Sequence, residues 1–344
     1  MGNWLGCFRS KGFREGHGSR GKRSSRLVRK MPAEDDLLHR HALVMAMQQH
    51  QLSQRFDGSM SRRIGSTSSR KHTPTTSFRK QVPFILENLE TKKIILVHGE
   101  GFGAWCWYKI IPFLEEAGLH SVTLDLTASG IDNTDINSVM TLADYSKPLI
   151  DYLHNLPEDE KVILVGHSCG GASVSYALEC FPKKITKAIF LTGTMVLDGQ
   201  RPFDVFAEEL ASAEVFMQDS QVLLYANGKD KPPTGLMFDK EQLKGLYFNQ
   251  SSSKDIALAL VSMRPIPIAP IMERLSLTKE KYGSVQRYFI QTLDDHMLSP
   301  DVQEKMVREN PPDKVFKIKG SDHCPFFSKP QSLGKILLEI AQLT

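Results

Sequence analysis

The sequence predicts an α/β protein, a mostly parallel sheet with helices on both faces. Three observations carry that expectation. Short continuous apolar runs recur without in-out alternation, as in strands buried on both faces. Segments with helical spacing separate these runs, so consecutive strands can lie parallel. The pentapeptide Gly166-His167-Ser168-Cys169-Gly170 stands directly between one apolar run and a helix-like stretch, where a sharp strand-to-helix turn belongs.

The globular pattern begins near residue 82. Residues 93–97 (Lys-Ile-Ile-Leu-Val) form the first predicted strand, followed by a helix over 105–117 that ends at Gly118. Residues 120–125 give the second strand, and 142–156 a helix that stops at Pro157. The third strand is 162–165, with the turn and a helix over 171–179 behind it. Strands at 185–192, 285–292 and 314–318 and a closing helix at 331–343 complete the alternation. The interval 198–284 breaks this rhythm. It holds helix-like pieces at 204–213, 240–245 and 254–263 and turn-rich stretches such as Lys231-Pro232-Pro233. It reads as a helical cap, inserted between two strands over the carboxyl edge of the sheet. Phe203, Phe206, Leu210, Phe216, Leu236 and Met237 suit a pocket lining and a core equally well.

The chain has 344 residues, 41% hydrophobic and 24% charged, with a formal charge of +4. That length holds one large domain or two small ones. No stretch approaches the ~18 continuous apolar residues of a membrane-spanning helix. Five scattered cysteines (Cys7, Cys106, Cys169, Cys180 and Cys324) lack metal-site spacing and suggest a reducing compartment. The basic charge is concentrated in residues 1–80, with 17 Lys and Arg against 5 Asp and Glu, so the remainder is net acidic. Nothing about nucleic acid follows from such an extension. Rich in Ser, Arg, Lys and Gly, it has one amphipathic patch, 37–52, which includes Leu38, Leu43, Met45 and Met47. It cannot bury enough apolar surface to fold alone. Beside plain disorder, two targeting readings fit. One is an organelle transit peptide. The other is a lipid anchor at Gly2 and Cys7 beside a polybasic stretch, with Gly6 where that motif usually has Ser or Thr. The domain division is therefore 1–80 for the extension and 81–344 for the globular domain, with the cap at about 198–284.

A serine on a strained turn between strand and helix exposes its hydroxyl as a nucleophile. Ser168 occupies that place. It needs a base, and the base an orienting carboxylate, in chain order Ser, Asp or Glu, His. After Ser168 the histidines are His296 and His323. His323 follows the strand at 314–318, at a carboxyl end where open α/β sheets meet ligands, and is read as the base. Asp294 and Asp295 both follow the strand at 285–292. Adjacent side chains diverge, so one of them reaches the base, and the residues alone leave both open. Asp322, beside the base, is read as structural. An oxyanion needs two N–H donors: Cys169 after the nucleophile, and one in the loop His98-Gly99-Glu100-Gly101-Phe102-Gly103. That loop carries no phosphate-binding fingerprint. His98 and His167 read as packed structural groups, and Trp105 and Trp107 as core.

Five segments together resemble the plant methylesterase family of α/β-hydrolases, relatives of the salicylic-acid-binding esterase and the hydroxynitrile lyases. They are Leu96-Val97-His98-Gly99, Ala104-Trp105-Cys106-Trp107-Tyr108-Lys109, Val122-Thr123-Leu124-Asp125-Leu126-Thr127-Ala128-Ser129-Gly130, Val165-Gly166-His167-Ser168-Cys169-Gly170-Gly171 and Lys319-Gly320-Ser321-Asp322-His323. They run in family order across residues 92–344. The resemblance implies hydrolysis of methyl esters of small plant acids such as indole-acetic, jasmonic or salicylic acid. It implies a small-molecule ester as partner, no metal or organic cofactor and no nucleic acid, and it allows a homodimer. It places the triad acid at Asp295, with Asp294 the fallback. The oxyanion donors fall at the backbone N–H groups of Glu100 and Cys169. Three departures stand out. Glu100 sits where relatives have a small or apolar residue, and its carboxylate opposes an oxyanion unless it points away. Cys324 replaces the lysine that the lyases use for released cyanide, which argues against lyase chemistry. The long extension resembles that of a subgroup thought to enter chloroplasts. A hormone-binding receptor on the same fold, with little turnover, is the alternative from another class.

Overall fold

The computed structural model describes residues 89–205 and 221–344. The extension with its amphipathic patch and both targeting readings lies outside the described residues, as do Phe206, Leu210 and Phe216. Strand β1 (Lys93–Val97) is followed by a 3-10 turn (Ala104–Trp107) and helix α1 (Ile110–Glu116). The sequence had suggested one helix over 105–117. Pro112 explains the break: an uninterrupted helix would need its missing N–H to bond the Tyr108 carbonyl, whereas Pro is tolerated in the first turn of a new helix. Next come β2 (His120–Leu124) and α2 (Leu142–Asn155). Thr141 and Asp144 form a reciprocal capping box at the start of α2. β3 (Val162–His167), α3 (Gly170–Cys180) and β4 (Ile185–Leu191) complete the first half.

The insertion is not wholly helical. It contains β5 (Gln221–Leu224), β6 (Gly235–Phe238), α4 (Lys240–Leu246), α5 (Ser253–Ser262), β7 (Ile266–Pro267) and α6 (Ala269–Met272). β5, β6 and β7 pair antiparallel in a small separate sheet. Strands this short leave no periodic signal, and Lys231-Pro232-Pro233 falls in the hairpin loop between β5 and β6. Leu236 is buried, Phe203 half-buried and Met237 exposed. The chain then returns to the main sheet through β8 (Gln286–Thr292), α7 (Pro300–Glu309), β9 (Lys314–Ile318), α8 (Pro325–Ser328) and α9 (Pro330–Gln342).

The six-stranded sheet runs β2-β1-β3-β4-β8-β9, every neighbouring pair parallel. All residues of β3 are buried, and β1 is buried from Ile94 onward, which is why these runs are continuously apolar. From β1 the chain steps outward to β2 and then back across β1 to β3. The direction of winding therefore reverses between β1 and β3, and a crevice opens there at the carboxyl ends. Among the described residues no helix is long and apolar enough to cross a membrane.

A buried carboxylate ties the insertion to the main sheet's helices. Asp255 on α5 accepts from Tyr108 Oη (2.6 Å), Lys109 Nζ (2.7 Å) and Ser252 Oγ (2.6 Å). Asp255→Ala removes the acceptor and leaves the Tyr108 hydroxyl and the Lys109 ammonium without it. Lys109 is partly exposed, which moderates the cost. The expected loss is about 2–3 kcal/mol, read as a lower urea midpoint at unchanged slope.

Candidate active site

In a parallel sheet all carboxyl ends share one edge, and four loops meet there: those after β1, β3, β8 and β9. The turn after β3 holds Ser168 at φ 48°, in the left-handed region where a side chain is strained. The turn is tight enough to demand its glycines. A Cβ on Gly170 would lie 2.4 Å from the His98 carbonyl oxygen, and one on Gly166 would lie 2.8 Å from the Gly170 oxygen. The Ser168 carbonyl is pinned by the N–H groups of Gly171 and Thr194, each at 2.9 Å. Gly170→Ala forces this turn away from the β1 loop. We expect a thermal midpoint lower by several degrees, corresponding to about 1–3 kcal/mol, and a larger proportional loss of ester turnover.

The loop after β9 carries His323 across the crevice. His323 Nε2 lies 2.8 Å from Ser168 Oγ, and its Nδ1 lies 2.8 Å from Asp295 Oδ2. All three side chains are buried. Asp294 and Asp295 diverge, as adjacent positions on an extended segment should. Asp294 is exposed and accepts from the Gly320 N–H, while Asp295 turns inward. Thr192, Thr292 and Gln303 also donate to Asp295 Oδ2, and the N–H groups of Met297 and Leu298 to Oδ1. Burial opposes a charge on His323. The charge and hydrogen bond of Asp295, with Glu100 and Asp322 beyond, nonetheless hold it above the ordinary imidazole value. His296, the other histidine after the serine, is exposed and lies against the Gly245 carbonyl, away from the serine's partners.

The two remaining histidines hold the frame. His98 donates from Nδ1 to the Gly99 carbonyl and accepts the Leu126 N–H at Nε2 (3.0 Å), as a neutral ring does. Burial lowers its pKa. His167 donates from Nε2 to the His323 carbonyl (2.8 Å) and so supports the base's loop. Burial, with the His323 charge beside it, takes His167 down to about 3. Trp107 is fully buried against Phe326, and Trp105 stacks half-buried on Phe327. Asp322 accepts from the Gln250 N–H, the Ser251 hydroxyl and the Cys324 N–H, binding the insertion to the loop of His323.

Glu100 does not point away. Its carboxylate is buried on the serine itself, with Ser168 Oγ donating to Oε1 (3.0 Å) and the Cys169 N–H to Oε2 (3.1 Å). Tyr247, at the end of α4, donates to the same Oε1 (2.5 Å). Burial by itself would raise the carboxyl pKa. The His323 charge, the Tyr247 hydroxyl, His167 and the residue's own N–H instead hold it below the ordinary carboxylate value. Tyr247 had no marker in the sequence, where an aromatic residue at a helix end reads as core. The backbone N–H of Gly101's successor in space, Arg264, donates to the Gly101 carbonyl (2.9 Å) and fixes the same loop from the insertion.

This geometry can activate a hydroxyl and pass its proton to an imidazole oriented by a carboxylate. The comparisons with known proteins agree with that chemistry. A model of the Alpha/beta hydrolase family matches residues 94–333. "Putative methylesterase 12, chloroplastic" of Arabidopsis thaliana is 66% identical over 348 residues, covering 100% of both chains. Methyl jasmonate esterase 1 of Vitis vinifera is 38% identical over 254 residues, 73% of this chain and 97% of that one. The crystal structure of the methylesterase MES16 from Arabidopsis superposes with a TM-score of 0.65 at 36% identity, over 72% of this chain and 98% of that one.

Proposed function

The chain belongs to the Alpha/beta hydrolase family, among the plant methylesterases, and we propose that this carboxylic ester hydrolase cleaves methyl esters of small plant acids to the free acid and methanol. Methyl indole-acetate, methyl jasmonate and methyl salicylate represent the substrate class. One observation supports the reading above the others: the unbroken line from Asp295 through His323 to Ser168, at 2.8 Å and 2.8 Å.

In this proposal His323 takes the Ser168 proton at Nε2 as Oγ attacks the ester carbonyl carbon. Asp295, bonded at Nδ1, keeps the imidazole in the required tautomer and stabilises the imidazolium. The backbone N–H groups of Glu100 and Cys169 receive the oxyanion. As it collapses, the carbonyl–methoxy bond breaks and methanol leaves with the proton from His323. Water, deprotonated by the same imidazole, then attacks the acyl-serine and releases the acid. The insertion encloses the acyl group and chooses among substrates. Cys324 is buried and cannot supply a cation, which disfavours the lyase reading. From the printed name of the Arabidopsis relative we extend the proposal to a chloroplast location, testable by imaging a fluorescent fusion of the full chain.

The position of the Glu100 carboxylate favours a second reading, a hormone-binding protein with little turnover. Initial rates of the full-length protein on those three methyl esters, against free-acid binding by calorimetry, separate the two. Turnover with weak acid binding supports the esterase. Tight acid binding without turnover supports the receptor.

A further inference from the structure

A carboxylate and a tetrahedral oxyanion cannot share the same donors. Two like charges a few ångströms apart in a water-poor site repel strongly. In this chain the donor expected at Cys169 is already given to Glu100 Oε2, and Ser168 Oγ donates to Oε1. The residue's own N–H, the other expected donor, also stabilises its carboxylate. These are the contacts that a released acid product would make before leaving the site. Tyr247 then holds the carboxylate from the insertion. Resting on the esterase reading, we propose that Glu100 is a tethered stopper of the oxyanion site, an internal analogue of the acid product, latched by Tyr247 and displaced only by esters whose acyl group fills the space under the insertion.

Two consequences follow. The stopper discriminates by size, because a small ester lacks the contacts that would repay its displacement. It also bears on the base. The groups facing His323 are the acids Asp295, Glu100 and Asp322, the rings of Tyr247 (5.0 Å) and His167 (4.9 Å), Ser168, and the neighbouring Cys324. Catalysis needs neutral His323, so the rate rises with pH, with a midpoint above the ordinary 6.5. Removing the Glu100 charge lowers that midpoint.

The test compares full-length wild type with Glu100→Ala, Glu100→Gln and Tyr247→Phe on p-nitrophenyl acetate and on methyl indole-acetate. Glu100→Ala should raise kcat/KM for the small ester by about 10²-fold, Tyr247→Phe by less, and methyl indole-acetate should gain least. Sodium acetate should refill the vacated site, inhibiting Glu100→Ala and leaving wild type unaffected. Glu100→Gln keeps the side chain's volume, so it guards against misfolding; its acid limb should move to lower pH. A Glu100→Ala rate equal to or below wild type, or equal acetate inhibition of both, would overturn the stopper while a turning-over wild type left the esterase reading intact. Faster labelling of Glu100→Ala than of wild type by an alkyl fluorophosphonate, with no ester turned over by any variant, would support the stopper and sink the esterase reading.

Discussion

Ser168→Ala is expected to lower methyl-ester turnover by at least ~10⁴-fold while leaving the fold intact. The proposal makes Oγ the atom that bonds the acyl carbon, so no neighbouring group can replace it. Residual rate over water comes from binding and oxyanion donors alone. The substitution removes no large side chain. It does remove the one hydroxyl that reaches both His323 Nε2 and Glu100 Oε1, so the imidazole and the carboxylate lose their bridge. The measurement is initial-rate kinetics of the full chain on methyl indole-acetate and methyl jasmonate, with circular dichroism to confirm folding. A rate within tenfold of wild type would remove Ser168 from the reaction and with it the covalent mechanism. The same variant should fail to react with a fluorophosphonate, which separates loss of the nucleophile from loss of ester binding.

What the sequence made legible was set by burial and by direction. β1 and β3 lie between helices on both faces, so their residues had to be apolar without alternation, and the runs at 93–97 and 162–165 stood out. Parallel strands place all their carboxyl-end loops on one edge. A serine after β3, an acid after β8 and a histidine after β9 therefore had to converge, however far apart in the chain. Features that depend on one distant partner were not legible. Whether the Glu100 carboxylate faced the serine or solvent was decided by Tyr247, 147 positions away, and by the charge on His323. The choice between Asp294 and Asp295 was settled by where the segment after β8 turned its side chains, a matter of a single residue's register. β5 and β6 have four residues each and β7 two, too few for a period to emerge, so the insertion looked helical. α7 carried a usable start signal, Ser299 capping the Val302 N–H ahead of Pro300, but only a reading by caps rather than by apolar spacing would have found it.

Asp295→Asn should cost about 10⁴-fold in kcat, and the reason is in the distribution of donors. Oδ1 of Asp295 is held by the N–H groups of Met297 and Leu298 at 2.9 and 2.8 Å. Backbone donors cannot turn round, so the amide oxygen of an asparagine must take that place. Its NH₂ group then falls where Oδ2 was, facing His323 Nδ1 and the hydroxyls of Thr192 and Thr292. The hydroxyls can rotate and become acceptors. The imidazole can accept only by moving its proton from Nδ1 to Nε2, and Nε2–H then points at Ser168 Oγ. A base that already carries the proton it must receive does not activate the serine. The loss should appear in kcat with KM little changed, because Asp295 is buried behind the imidazole and the substrate does not reach it. Fluorophosphonate labelling should slow in parallel, since it needs the same activated oxygen. Asp294→Asn is the matched comparison: that side chain is exposed and accepts only from the Gly320 N–H among the hydrogen bonds found for it, so its turnover should stay within about threefold of wild type, as surface changes usually do. A 10⁴-fold loss at Asp294 with little at Asp295 would reverse the assignment of the acid, and equal small losses at both would mean that His323 works without an orienting carboxylate.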